Sequence, residues 1–325
     1  MPITLPLTEL YAPITTALAD ARVRVGDAWR EVFRLASGES LDPIGASGKL
    51  LRPAACLLSA GASGADDLDR FVPLATSMEL LHLAALAHDD VIDGAGTRRG
   101  VKSLQSLWGN HAAILGGDFL VAHAFGMLAS YGSCALVQTT VESLREMAEG
   151  ELSMAGKEAA DLSQRLCIDL ARKKTGALFA AACSAPCHLI DPELFGMMRR
   201  YGVALGTAFQ LVDDLLDLLQ DEETLGKPAC GDITERKPTL PLLFLREGLD
   251  AKGRDRLNKN AGKALSRDDR LWVSEMLEVT NARERTEAIA RKLSAEAQAS
   301  IGELAPSPFK ESLLGLAEFI LVRES

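Results

Sequence analysis

LAALAHDDVIDGAG (83–96) and GTAFQLVDDLLDLLQDEE (206–223) decide how this chain is read. Each is an apolar run that ends in three acids spaced D-D-x-x-D: Asp89, Asp90 and Asp93 in the first, Asp213, Asp214 and Asp217 in the second. On a helix successive residues turn by about 100°, so each trio falls within about 100° of arc and makes one compact acidic patch. Three carboxylates on one face repel one another and call for a hard cation. Oxygen-only donors with open positions suit magnesium bridging to phosphate. A single D-D-x-x-D is equally well a solvated acidic face. Two copies with one spacing, each behind a hydrophobic helix, are expected to face each other at the mouth of an apolar interior. Other acids, Asp66, Asp67 and Asp69 or Asp268 and Asp269, read as caps and surface charge.

The rest of the chain reads as helix. Leucine and alanine dominate, aromatics are 5%, and apolar residues recur at three and four, as in Leu74, Met78, Leu81 and Ala85. Turn signals divide the helices at 37–48, 61–66, 93–100, 184–186, 224–232 and 304–309, and neither an alternating strand series nor a hairpin is expected. GALFAAACSAPCHLI (176–190), apolar nearly all round, predicts a helix buried inside a bundle. With no low-complexity linker, residues 1–325 are expected to form one domain. The net charge of −10 argues against nucleic acid as a partner. The six cysteines are scattered singly without a C-x-x-C pair, so zinc and redox motifs have no support and a reducing, cytoplasmic compartment is expected. The N-terminus shows no signal peptide, and no uninterrupted apolar run reaches the ~18 residues of a membrane span, so no transmembrane segment is expected.

Anionic substrates need local positive charge, and it lies in tight motifs. GKLLRP places Lys49 and Arg52 three apart; Arg98 and Arg99 follow the first acid trio; Lys173 and Lys174 precede Thr175; Lys227 follows the second trio, and Lys237 sits in ERKPTLP. Arginine forks bind diphosphate oxygens in pairs, whereas lysine acts as a point charge. A lone Lys or Arg is usually just solvated; the placement beside the acids makes these candidates. His82, seven residues before Asp89, points to nearly the same side about 10 Å away. His88 lies off that face and reads as structural or surface. Asp118, in an apolar run, reads as a supporting hydrogen-bond partner of the site or a buried structural polar group.

Taken in order, GKLLRP (48–53), ELLHLAALAHDDVID (79–93), RRG (98–100), GGDFL (116–120), KKTGALF (173–179), GTAFQLVDDLLD (206–217), GKP (226–228) and D-x-x-x-x-K-x-TLP (232–241) make the chain similar to the trans-isoprenyl diphosphate synthases, the polyprenyl synthetase family. The resemblance implies an all-α bundle of antiparallel helices around a central hydrophobic cavity, usually a homodimer. It implies that Asp89, Asp90, Asp93, Asp213, Asp214 and Asp217 hold three magnesium ions on an allylic diphosphate, which Arg98, Lys174, Lys227 and Lys237 also contact. Lys49, Arg52, His82 and Arg99 would bind isopentenyl diphosphate. Thr175 and Gln210 would present oxygen dipoles to the developing allylic cation, and released pyrophosphate would take the proton. One departure touches Lys237: Arg236 stands where the family usually has glycine.

The same resemblance makes Ala85, Ala84 and Leu81, four, five and eight residues before Asp89, the marks of a ruler for product length. A helical turn rises about 5.4 Å, comparable to one isoprene unit, and short-chain members carry a bulky aromatic where Ala84 and Ala85 stand. A linear all-trans product of twenty-five carbons or more is therefore expected. The alternative is that these alanines merely allow close helix packing and that a residue of another helix, such as Phe119, Phe125 or Met127, blocks the tunnel earlier, which would make the chain a geranylgeranyl or farnesyl diphosphate synthase. A class I terpene cyclase would need no second diphosphate site, and a non-catalytic subunit of the same fold would have lost acids from one trio.

Overall fold

A computed structural model describes residues 5–38, 48–94, 96–98, 101–154, 162–220 and 229–322. The helices are α1 (Leu7–Leu10), α2 (Thr15–Ser37), α3 (Leu51–Ala62), α4 (Val72–Asp93), α5 (Leu104–Ala129), α6 (Cys134–Leu152), α7 (Gln164–Ala171), α8 (Ala177–Ser184), α9 (Phe195–Leu219), α10 (Gly231–Thr234), α11 (Leu240–Gly248), α12 (Ala251–Asn260), α13 (Arg267–Val279), α14 (Ala282–Ser300) and α15 (Pro308–Val322). The all-α fold is as expected, with one correction. A minimal antiparallel ribbon, β1 (Thr97–Arg98) with β2 (Val101–Lys102), follows the first acid trio, where no hairpin was anticipated. Two residues per strand leave no alternation to read.

The boundaries have local causes. Ser103, Ser133, Ser163 and Ser266 cap α5, α6, α7 and α13 by accepting a backbone N–H on their hydroxyls. Gly94 ends α4 directly after Asp93 with φ 66°, a left-handed conformation that glycine adopts without a Cβ clash.

One contiguous core runs from Ile14 to Ile320. Residues 176–187 are buried as expected and 188–190 half-buried, but Pro186 breaks the region into α8 and a 3₁₀ turn, Ala185–Leu189. α8 and α9 touch almost backbone to backbone. A Cβ on Gly202 would lie 2.5 Å from the Phe179 carbonyl oxygen, and one on Gly206 would lie 2.8 Å from the Gly176 Cα. Any side chain at either glycine would part α9, which carries Gln210, from α8 and the turn before it, which carries Thr175.

Between α7 and α8 the backbone widens into a π-turn, Arg172–Gly176. Such single turns are rare and recur at functional sites. α4 packs along α5 through small residues: Ser77 Oγ donates to the Ala124 carbonyl at 3.2 Å, and His88 Nε2 lies 3.2 Å from the Ile114 carbonyl over Gly117. Ser77 and His88 therefore mark the stripe of α4 that faces α5. Leu81 and Ala84 fall on that stripe, at spacings of four and three, and both are buried. Ala85 lies one position round, toward Asp89, and is half-buried.

Two helices, Asp69–Asp93 and α5, are long and apolar enough to cross a membrane. The first has 72% of its apolar window buried in the protein, as a core helix has, and α5 only 33%. On α5 the exposed large apolar residues are Leu107, Ile114 and Leu115.

Candidate active site

The first trio occupies the last turn of α4 and the second the C-terminal half of α9. Lys174, from the π-turn, stands beside the first trio. Its Nζ is 3.6 Å from Asp89 Oδ2 and 2.5 Å from Glu151 Oε1, and its charge also acts on Asp214. Burial alone would lower the Lys174 pKa, but Asp89 and Glu151 outweigh it and raise it. Lys237, from the loop after α10, reaches Asp93 Oδ2 at 2.8 Å and also pairs with Glu235. Those two carboxylates raise its pKa against the cost of burial. The charge of Lys237 opposes the rise at Lys174.

The acids are less open than a solvated mouth would make them. Asp90, Asp214 and Asp217 are buried, and Asp89, Asp93 and Asp213 half-buried. Burial first, then the charges of Asp213 and Asp217, push the Asp214 carboxyl up to about 7, against the opposing pull of Gln210 and Lys174. Thr175 Oγ1 donates to Gln210 Oε1 at 2.5 Å, and Gln210 Nε2 donates to Asp214 Oδ1 at 2.6 Å. The oxygens of Thr175 and Gln210 are thus tied into a chain that ends on an acid of the second trio. Asp217 differs from its partners, because its Oδ2 accepts the Asp232 backbone N–H at 3.0 Å. It anchors the loop that carries Lys237.

That loop shows how the departure at Arg236 is accommodated. Arg236 adopts φ 57°, a left-handed conformation costing a non-glycine residue roughly 1–2 kcal/mol. Its guanidinium lies over Gly262 and donates to the Ala261 carbonyl at 3.2 Å, beyond the end of α12. The Lys237 N–H donates to the Asp232 carbonyl at 2.8 Å, and its ammonium stays on Asp93.

On the other flank, Arg52 is buried at the start of α3 with its guanidinium 4.8 Å from the centre of the Phe179 ring, four residues after Thr175. Lys49 is exposed, with Nζ 5.8 Å from the Phe319 ring and its carbonyl held by the Tyr11 hydroxyl at 2.9 Å. His82 is half-buried on α4. Lys227 and Arg99 lie outside the described residues, and Arg98 is described only in its backbone. Asp118 is not a buried polar group: its side chain is 64% exposed and stands 3.5 Å from His88. It sits on the outward side of α5, which an apolar run could not reveal. Sequence reading missed Glu151 and Glu235, the acidic partners of the two lysines. Glu235 lies two residues from Lys237 and was open to notice; Glu151 is 23 residues from Lys174 with no shared motif.

All six trio donors are carboxylate oxygens, the chemistry magnesium prefers. Among the described residues no three His, Cys, Asp or Glu side chains converge on one point tightly enough to hold an ion alone. A magnesium ion on such carboxylates would take its remaining oxygens from a substrate phosphate. A consequence follows for pH. The folded Asp214 keeps a proton from about pH 4 to about pH 7 that the unfolded chain has released, so its contribution to stability is lost as pH rises through 7. Above pH 7 a cation meets an ionised buried carboxylate and displaces no proton. Magnesium is therefore expected to raise Tm more at pH 8 than at pH 6, and chelation to remove the difference; equal shifts at both pH values, by calorimetry, would contradict this.

A family model described as polyprenyl synthetase matches residues 38–277. The chain is 36% identical over 319 residues to a short chain isoprenyl diphosphate synthase of Methanothermobacter thermautotrophicus, covering 94% of this chain and 96% of that protein. It is 34% identical over 254 residues to an all-trans-nonaprenyl-diphosphate synthase of Rhodobacter capsulatus, covering 78% of each. Its fold superposes, with a TM-score of 0.91 and 31% identity over the whole of both chains, on a polyprenyl synthase of Caulobacter crescentus complexed with calcium and isoprenyl diphosphate.

Proposed function

The chain belongs to the polyprenyl synthetase family, and from that premise we propose that it joins isopentenyl diphosphate head to tail to an allylic prenyl diphosphate, giving a linear all-trans polyprenyl diphosphate of twenty-five carbons or more. The observation that carries this is Lys174, beside Asp89 of the acid trio on α4 and with its charge acting on Asp214 of the trio on α9.

Each part of the site has a task. The allylic C–O bond breaks, leaving a delocalised cation and a departing diphosphate. Lys174 and Lys237 bind that diphosphate and stabilise its growing charge. Magnesium, when bound by the aspartates, neutralises the same leaving group, and we assign three ions. Thr175 and Gln210, in series and anchored on Asp214, place oxygen dipoles beside the cation. The apolar walls of α4, α8 and α9 exclude water that would quench it. Lys49, Arg52 and His82, with Arg99, bind isopentenyl diphosphate, whose double bond attacks the allylic cation; the tertiary cation so formed loses a proton to the released diphosphate, leaving the new double bond. Arg98 and Lys227 add to the allylic site.

Purified protein incubated with farnesyl diphosphate, labelled isopentenyl diphosphate and magnesium tests this. A longer linear diphosphate is expected; a cyclised hydrocarbon or no product would turn the reading toward a cyclase or a non-catalytic subunit. Arg52→Ala is expected to raise the KM for isopentenyl diphosphate about ten- to a hundredfold, the effect of one lost charge-assisted contact. The KM for the allylic substrate should move far less, and equal shifts in both would mean the two diphosphate sites are assigned the wrong way round.

We assign the working form as a homodimer, because a second copy laid on Leu107, Ile114 and Leu115 of α5 would cover their exposed apolar surface. The six free cysteines, five of them buried, fit the reducing cytoplasm.

A further inference from the structure

Three consecutive residues of the π-turn are each met by α6. Arg172 Nη1 is 2.8 Å from Glu146 Oε2. A Cβ on Gly150 would lie 3.0 Å from the Lys173 Cβ, so the two elements pack tightly here. Lys174 Nζ is 2.5 Å from Glu151 Oε1. Positions 146, 150 and 151 lie four and five residues apart, on one face of α6.

The Asp89 carboxylate is 3.6 Å from the Lys174 ammonium, beyond hydrogen-bond distance. An ammonium on a flexible four-carbon stem goes where its partners hold it. Here the hydrogen-bonding partner is Glu151, fixed in the last turn of α6 while Glu146 clamps the same turn through Arg172.

We propose that Glu151 is a positioning residue: it holds the Lys174 ammonium beside the acid trio of α4, ready for a diphosphate oxygen. This rests on the reading of Lys174 as a diphosphate ligand. It carries a sign that separates it from a simple charge effect. Glu151 is itself an anion near an anion site, so removing its charge would by electrostatics alone strengthen diphosphate binding. Removing a positioning contact would weaken it.

The test is calorimetric titration of inorganic pyrophosphate, with magnesium, into the wild type, Glu151→Gln, Lys174→Ala and the double variant. Glu151 is half-exposed at a helix end, so the substitution leaves the core intact. The expected result is about tenfold weaker binding for Glu151→Gln when Lys174 is present, with no weakening in the Lys174→Ala background. Glu151→Asp, which keeps the charge, should recover part of the loss. Unchanged or tighter binding in Glu151→Gln overturns the proposal, and so does an equal loss in both backgrounds, which would signal general disruption. The titration needs no turnover. A wild type that binds pyrophosphate but makes no elongated product would remove the reaction assigned above while leaving the Glu151–Lys174 coupling readable.

Discussion

Asp89→Ala and Asp213→Ala are each expected to lower turnover on the order of a thousandfold or more, with the fold retained. Each removes a carboxylate that holds cationic charge against the departing diphosphate. The loss of a single preorganised electrostatic contact to a developing charge costs about a hundred- to a thousandfold in comparable sites. Asp89 has the further role of sharing Lys174 with Glu151, so its removal leaves the ammonium to Glu151 alone. Both side chains are half-buried at the ends of their helices, and little packing is lost. Steady-state rates under saturating substrates and magnesium, with a melting curve for each variant, are the measurement. Near-normal turnover in either variant would remove the aspartates from the mechanism.

Ala85→Phe is expected to shorten the product, from twenty-five carbons or more to fifteen or twenty. Ala85 is half-buried one turn from Asp89 on the side that carries the acid, so a phenyl ring there projects toward the space the growing chain would occupy. The same change at Ala84 should behave differently. Ala84 lies fully buried between Ser77 and His88, on the stripe that meets α5, and a ring inserted there overpacks the helix pair at a cost of about 1–3 kcal/mol or more. Chromatographic sizing of products for both variants, alongside their Tm values, separates the two effects. An unchanged length in Ala85→Phe, or a wild-type product of only fifteen carbons, would place the floor of the tunnel on another helix.

The sequence carried the helices and the acid trios because both are local. A period near 3.6, serine caps and a glycine after Asp93 act within a few residues, and D-D-x-x-D makes a patch on any helix that bears it. The mutual placement of Lys174 and the trios was expected from motif proximity and family resemblance. Glu151 was not expected, because nothing in EGELSM announces a partner 23 residues away. Arg236 shows the same limit from the other side. Its position in ERKPTLP flagged Lys237 as doubtful, yet a contact with Ala261, 25 residues further on, holds the left-handed turn that keeps Lys237 on Asp93.

By itself, then, the sequence determined an all-helical chain with two trios of oxygen donors, each at the polar end of an apolar helix, and basic residues set beside them. Tertiary structure decided which way equivalent-looking residues face. Ala84 and Ala85 are neighbours of one type, but about 100° of helical rotation sends one into α5 and the other toward Asp89. Asp213, Asp214 and Asp217 read as one set, yet the return of the chain at Asp232 ties Asp217 to a backbone N–H, and Gln210 ties Asp214 to Thr175. The physical reason is one of range. Periodicity and capping act along the chain, whereas the partner of a buried charge is chosen by whichever group the packing of distant helices brings within about 3 Å, as α6 brings Glu151 to Lys174.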